Sequence, residues 1–305
     1  VKSNKIVLKR PAICHVCKIL IKIGETAIFS GGGWSRRIRH HTCRFQYPGY
    51  DGDIVRNLHS NKVYTRGVMR LLTKPGGNAK LTHGTNGYLP YVLHLAPARS
   101  AGEKNVCPDA TPECIALCLN VSGRSMMFPN VKGRNPILDA RIRKTQFFFQ
   151  NRTEFLQTLR KEIKNAVKRS NGKAVFRLNG TSDLDFLDII REFPTVQFYD
   201  YTKSPQRMHE FLLGILPPNY HLTFSFSGRN ADLCRSFLAR GGNVAVAFAR
   251  PIGVKYNRPE TWEGYSTIDG DASDLRFLDS KGIVVALKAK GTARKVSGNR
   301  FIVGS

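Results

Sequence analysis

The chain has 305 residues, 41% of them hydrophobic, and its 48 lysines and arginines outnumber 22 acidic residues to give a formal charge of +26. That apolar share supplies a packed core and excludes a disordered tail, and no run approaches the roughly 18–20 apolar residues of a membrane span. The opening residues Val1-Lys-Ser-Asn-Lys5 lack a secretory apolar stretch, so a cytoplasmic protein with no membrane partner is expected, and the charge points to a polyanion.

The positive excess is concentrated at the start. Residues 1–80 hold 16 basic and 3 acidic side chains, +13 of the +26. Within residues 1–60 the pairs Cys14-x2-Cys17 and His40-x2-Cys43 have the spacing of a tetrahedral structural zinc site. His40 and Cys43 are expected one turn apart on a short helix; His41 is the alternative, at a less favourable spacing. So short and polar a module would draw its stability from the metal. Between the pairs, three glycines lead into Trp34, Arg36, Arg37 and Arg39, flexible backbone with an aromatic and guanidiniums, suited to phosphate contact and base stacking. Nucleic acid, DNA rather than RNA, is the expected partner; a finger that binds protein or caps the domain is the rival.

Residues 61–80 read as a connector with a turn at Lys74-Pro-Gly-Gly-Asn78. From 81 to 305, short apolar runs at 91–96, 174–178, 196–199, 221–226, 244–248 and 283–287 alternate with helical segments. The runs from 174 to 244 recur every 22–25 residues, the length of one βα unit. The expected fold class is therefore α/β: a parallel (β/α) barrel, complete or partial and TIM-like, behind the zinc-finger module. The clearest helix is Thr153–Arg169, with Phe155, Leu156, Leu159, Ile163 and Val167 on one arc and Arg160, Lys161, Lys164 and Lys168 beside it.

The seven cysteines are odd in number and six fall in two tight groups, which favours metal binding over a disulfide framework. After the first barrel strand comes Cys107-x6-Cys114-x3-Cys118. Three thiolates with no neighbouring histidine leave a coordination position open, as in a [4Fe-4S] cluster or a second Zn2+ with a water or distant ligand. Buried, unligated thiols are the third reading, and the simplest for Cys234. The loop is placed like the cluster loop of radical S-adenosylmethionine enzymes but departs from their Cys-x3-Cys-x2-Cys spacing, so use of S-adenosylmethionine stays open.

Polar residues recur at the ends of the later strands. Arg177, Asn179 and Asp183 surround Gly180, read as opening a tight turn; Asp200 and Lys203 follow; Asp271 and Lys290 lie near the end, among Asp269, Asp274 and Lys288. These seven, Arg177, Asn179, Asp183, Asp200, Lys203, Asp271 and Lys290, are the candidate catalytic set, because polar groups gathered at one end of successive strands are expensive to bury without a task. Internal salt bridges, such as Arg177 with Asp200, are the rival. The three-aspartate loop reads as a divalent-cation site or as a turn. Along 223–227, Phe224 and Phe226 are expected to face helices and Thr223, Ser225 and Ser227 the barrel interior.

Several pieces together, Tyr91-Val-Leu-His-Leu-Ala-Pro97, the three cysteines, Ser122-Gly-Arg124, Ala140-Arg-Ile142, Arg177 to Asp183, Phe198 to Lys203, Asp269 to Asp271 and Lys290-Gly291, resemble the phage gene product 88 domain family over about residues 81–305. The resemblance implies a tailed-phage or prophage origin, hence the cytoplasm of an infected bacterial host, and no mechanism. The expected function is a phage enzyme that modifies or processes nucleic acid at a metal site in the barrel mouth. The rivals are base exchange with Asp183 or Asp200 as nucleophile, similar to barrel-shaped transglycosylases, and a non-catalytic DNA-binding protein. Nothing in the sequence fixes the oligomeric state.

Overall fold

The computed structural model describes residues 3–7, 12–13, 20–21, 26–30 and 37–40 as backbone, and residues 69–76, 86–102, 104–118, 135–249, 253, 255–295 and 299–304. The chain divides into two compact units, Val1–Val68 and Met69–Ser305. In the first, the strands are β1 (Ser3–Val7), β2 (Ala12–Ile13), β3 (Leu20–Ile21), β4 (Thr26–Ser30) and β5 (Arg37–His40). β1, β4 and β5 form an antiparallel sheet, and β2 pairs with β3. His40 closes a strand, opposite Ala27, where the sequence suggested the start of a helical turn. Arg37 and Arg39 lie on the same strand; Cys14, Cys17, Trp34, Arg36 and Cys43 lie outside the described residues.

The second unit is a mixed α/β domain built on a ten-stranded, mostly parallel sheet. Its strands are β6 (Leu72–Thr73), β7 (Leu89–Leu93), β8 (Ala174–Arg177), β9 (Phe198–Thr202), β10 (Tyr220–Ser225), β11 (Asn243–Phe248), β12 (Thr261–Trp262), β13 (Tyr265–Asp269), β14 (Val284–Lys288) and β15 (Ile302–Val303). The order is β12-β13-β14-β11-β10-β9-β8-β7-β6, with β15 paired to β11. The sheet is open, which corrects the barrel expected from the βα spacing. Closure needs the outermost strands to pair with each other, whereas β6 and β12 each turn back antiparallel on their neighbours and end the ladder.

Among the described residues six α-helices accompany the sheet: α1 (Pro112–Ala116), α2 (Pro136–Gln150), α3 (Arg152–Arg169), α4 (Leu187–Arg191), α5 (Pro205–Leu212) and α6 (Ala231–Ala239). Three of them start the same way. Thr111-Pro112, Asn135-Pro136 and Ser204-Pro205 each put a side-chain oxygen on an otherwise unpaired amide of the first turn and a proline where no amide is needed. No helix among the described residues is long and apolar enough to cross a membrane.

Strand order decides which face each connection occupies. From β7 to β11 every step moves one place in the same direction, so right-handed crossovers carry the connecting helices to one face. The core lies there: Phe155, Leu159 and Ile163 of α3, Ile189 and Ile190 of α4, Met208 of α5 and Phe237 of α6 pack on Phe176, Phe198, Leu222, Phe224, Val244 and Val246. Each such side chain contributes about 1.5–3 kcal/mol of transfer free energy. Phe224 meets Phe237 edge-on, as the alternation along 223–227 suggested.

The step from β13 to β14 runs backwards, because β14 inserts between β13 and β11. A right-handed crossover for a backward step must use the opposite face. That is where residues 274–279 lie, including the 3-10 turn Arg276–Leu278. Leu275 packs with Val175 and Tyr199, and Phe277 stacks its ring against Tyr88 and Tyr199 at 5.3 and 5.5 Å. Among the described residues, that face of β8 and β9 is covered by the short irregular segment 274–279.

Candidate active site

The parallel strands β7, β8, β9 and β10 deliver their C-terminal ends to one edge of the sheet, where βα connections of this architecture hold functional groups. The connection after β7 carries the three cysteines and lies across the ends of two other strands. Cys107 receives a hydrogen bond from Ala98 N at 3.4 Å, and its thiol donates to the Thr181 carbonyl beyond β8 at 3.7 Å. Thr111, the cap of α1, accepts from Cys114 N at 3.3 Å and donates to the Ser227 carbonyl beyond β10 at 3.0 Å. Arg229 clasps Glu113 from the same side.

Cys107, Cys114 and Cys118 line one cavity of about 140 Å³, closed by Pro97, Ala98 and Ile115. Burial, against a favourable contact from Ala98 N, pushes the Cys107 thiol up to about 11, with Cys118 and Asp183 adding to the rise and Lys203 opposing it. Arg141 of α2 stands close enough to Cys118 for its charge to be felt there. Cations thus flank the thiols on two sides. Among the described residues no three His, Cys, Asp or Glu side chains are gathered tightly enough to hold a single ion.

The other candidates divide into two groups. On the helix side, Asp200 is 1% exposed and accepts from Asn179 N at 2.7 Å, Asn179 Nδ2 at 3.2 Å and the Tyr220 hydroxyl at 3.1 Å. Asp183 accepts from Lys203 N at 2.8 Å and Thr202 Oγ1 at 3.3 Å and pairs with Arg207 of α5. Asn179 also accepts from Ser182 Oγ and Leu184 N, both at 2.8 Å. Together these groups latch the turn after β8 to the turn after β9. The Lys203 ammonium lies 5.8 Å from the Phe301 ring centre, over the same edge.

On the opposite face, Arg177 pairs with Asp274 at 3.1 Å and lies 4.5 Å over the Tyr201 ring; its partner is therefore the backward crossover and not Asp200. Asp271 takes Lys290 at 2.6 Å and Lys288 N at 2.9 Å, while Asp269 pairs with Lys288 at 3.6 Å. The three aspartates of that loop each go to a different cation. Gly180 has no left-handed backbone to accommodate; a Cβ there would meet Leu93 O at 2.7 Å and Val92 Cγ1 at 2.6 Å, so glycine lets β8 run against β7.

Sequence reasoning passed over His94, Arg207 and Tyr220. His94 follows β7, with Nδ1 3.3 Å from Thr73 Oγ1. Burial, then Arg141, Arg177 and Lys144, depress it to about 3, so the imidazole is neutral at the sheet edge beside the cysteine loop. The signal was a histidine inside an otherwise apolar run. A family model described as gene product 88 matches residues 70–302. No curated protein and no solved structure matches the chain.

Proposed function

Since the chain belongs to the phage gene product 88 family, a description that carries no activity, we propose a function from the site itself: an enzyme that modifies or processes nucleic acid, with a metal cofactor in the three-cysteine cavity. The observation that carries this reading is the convergence of Cys107, Cys114 and Cys118 on one cavity at the C-terminal edge of parallel strands. A [4Fe-4S] cluster is preferred to a second zinc because three thiolates with no histidine in the same loop leave one coordination position open. With only three protein thiolates one iron stays open to a small co-substrate, S-adenosylmethionine being the candidate. Binding requires the Cys107 proton to leave, which the Lys203 charge assists.

The N-terminal unit would hold the nucleic acid. Cys14, Cys17, His40 and Cys43 would bind its zinc, with Trp34, Arg36, Arg37 and Arg39 toward the polyanion; the support is their spacing and a local excess of +13 in residues 1–80 (16 basic less 3 acidic). A second reading, a non-catalytic nucleic-acid-binding protein, draws on the mutual pairing of Arg177 with Asp274 and Asp271 with Lys290. It has no use for three thiols around one cavity. Base exchange with an aspartate nucleophile draws no such support, as Asp183 and Asp200 are buried and hydrogen-bonded.

The test is anaerobic purification of the full chain with metal analysis, then mass spectrometry of nucleosides from DNA incubated with it. The expected result is brown protein with about four irons per chain, colour lost in Cys107→Ala, Cys114→Ala and Cys118→Ala, and a changed nucleoside. Colourless, iron-free protein that leaves DNA unaltered would favour the binding-only reading.

A further inference from the structure

Nine buried side-chain nitrogen and oxygen atoms among the described residues find no hydrogen-bond partner; two of them, Arg276 Nη1 and Asp279 Oδ2, form an ion pair with each other at 3.2 Å, and five others lie in one place. These five are Arg177 Nε, Tyr199 OH, His221 Nε2, Thr223 Oγ1 and Arg276 Nε. Alternation along β8, β9 and β10 puts Arg177, Tyr199, His221 and Thr223 on the face that residues 274–279 cover, and strand register sets Tyr199 beside His221 and Thr223 beside Tyr201; the His221 ring also meets Phe211 of α5 edge-on at 5.3 Å. Arg276 and Asp279 come down on them from the backward crossover, which touches β9 and β10. Tyr199 and Thr223 have no exposed surface and Arg276 has 1%.

Buried polar groups are paired in folded proteins, and each one left unpaired costs stability, so five together call for a common explanation. We propose that the unpaired groups between the sheet and the 274–279 crossover take in a small, uncharged guest that presents oxygen acceptors. The donor balance sets the chemistry. Both guanidiniums and both hydroxyls have hydrogens to give, and the His221 ring nitrogen donates or accepts according to its tautomer. The charge balance excludes an ion: Arg177 is matched by Asp274 at 3.1 Å and Arg276 by Asp279 at 3.2 Å, so a further anion or cation would be buried without a counter-charge. What remains is neutral oxygen, from a cluster of ordered waters or from a small carbonyl- or hydroxyl-bearing solute. The site stands apart from the cysteine cavity and does not depend on the metal reading.

Two substitutions in the full chain read the occupancy by sign. In an empty site, Tyr199→Phe and Thr223→Val delete atoms that have nothing to bond to, and the thermal midpoint rises. In an occupied site they strip the guest of partners, and each variant is expected to melt about 2–4 °C lower, a loss near 1 kcal/mol for a domain of this size. A crystal structure of the unaltered protein identifies the source, waters or a solute, with native mass spectrometry showing the added mass of a solute. Either source upholds the site. Raised midpoints in both variants, or side chains collapsed onto one another with no density between them, would overturn it.

Discussion

Asp200 is the side chain most exposed to the acidity of the medium in its consequences, although it is 1% exposed in area. Burial raises its pKa from an ordinary value near 4 to about 7, against hydrogen bonds from Asn179 and Tyr220 and the charge of Arg177. Between those values the folded chain keeps a proton that the unfolded chain has released. The stabilisation is therefore complete below about pH 4 and is lost as pH rises through about 7. Asp200→Asn should remove that dependence: urea unfolding of the unaltered protein should lose up to a few kcal/mol relative to the variant across this window. A difference that stays flat with pH would mean the carboxyl titrates normally. At Gly180 the constraint is steric. Gly180→Ala drives a Cβ into the Leu93 carbonyl, a backbone atom, and should cost about 1–3 kcal/mol by urea unfolding. The sequence marked Asn179, Asp183 and Asp200 as polar groups at strand ends, but not that they bond to each other, because residue type reveals the need for partners and not their identity.

The elements were legible where periodicity alone decides them. The run at 244–248 became β11 (Asn243–Phe248), and the helix read from Thr153 spans Arg152–Arg169 with Phe155, Leu159 and Ile163 buried. The backward crossover was not legible, since repeat spacing counts βα units and is blind to the order in which strands are inserted. Its stability rests on charge: Asp274→Leu should cost about 3–5 kcal/mol by leaving Arg177 buried without a partner, whereas the double variant Arg177→Met with Asp274→Leu should recover most of the loss. Equal losses in both would show that the pair is not what holds the segment. At the opposite margin, Glu162 of α3 accepts from the amides of Leu71 and Leu72, both at 2.8 Å, and Lys144 of α2 donates to the Leu71 carbonyl at 2.6 Å. Glu162→Ala should raise hydrogen exchange at the Leu71 and Leu72 amides selectively, leaving β9 and β10 protected.

For the molecule as a whole, +26 on 305 residues is a statement about partners and not about fold. On the proposed function, affinity for DNA should fall as a straight line in log–log plots against salt, with a slope reporting the phosphates engaged, and chelation of the zinc proposed for the N-terminal unit should flatten it. Salt-independent binding, or none at low ionic strength, would remove the proposed substrate class. The outermost strands of the large sheet carry a further consequence. β6 and β12 are two residues long each, and Lys74-Pro75 follows the first at once. A neighbouring chain seeking to extend the ladder would find two residues of backbone on either flank, too little to nucleate pairing, so an unclosed sheet escapes fibril-like growth by brevity at its margins.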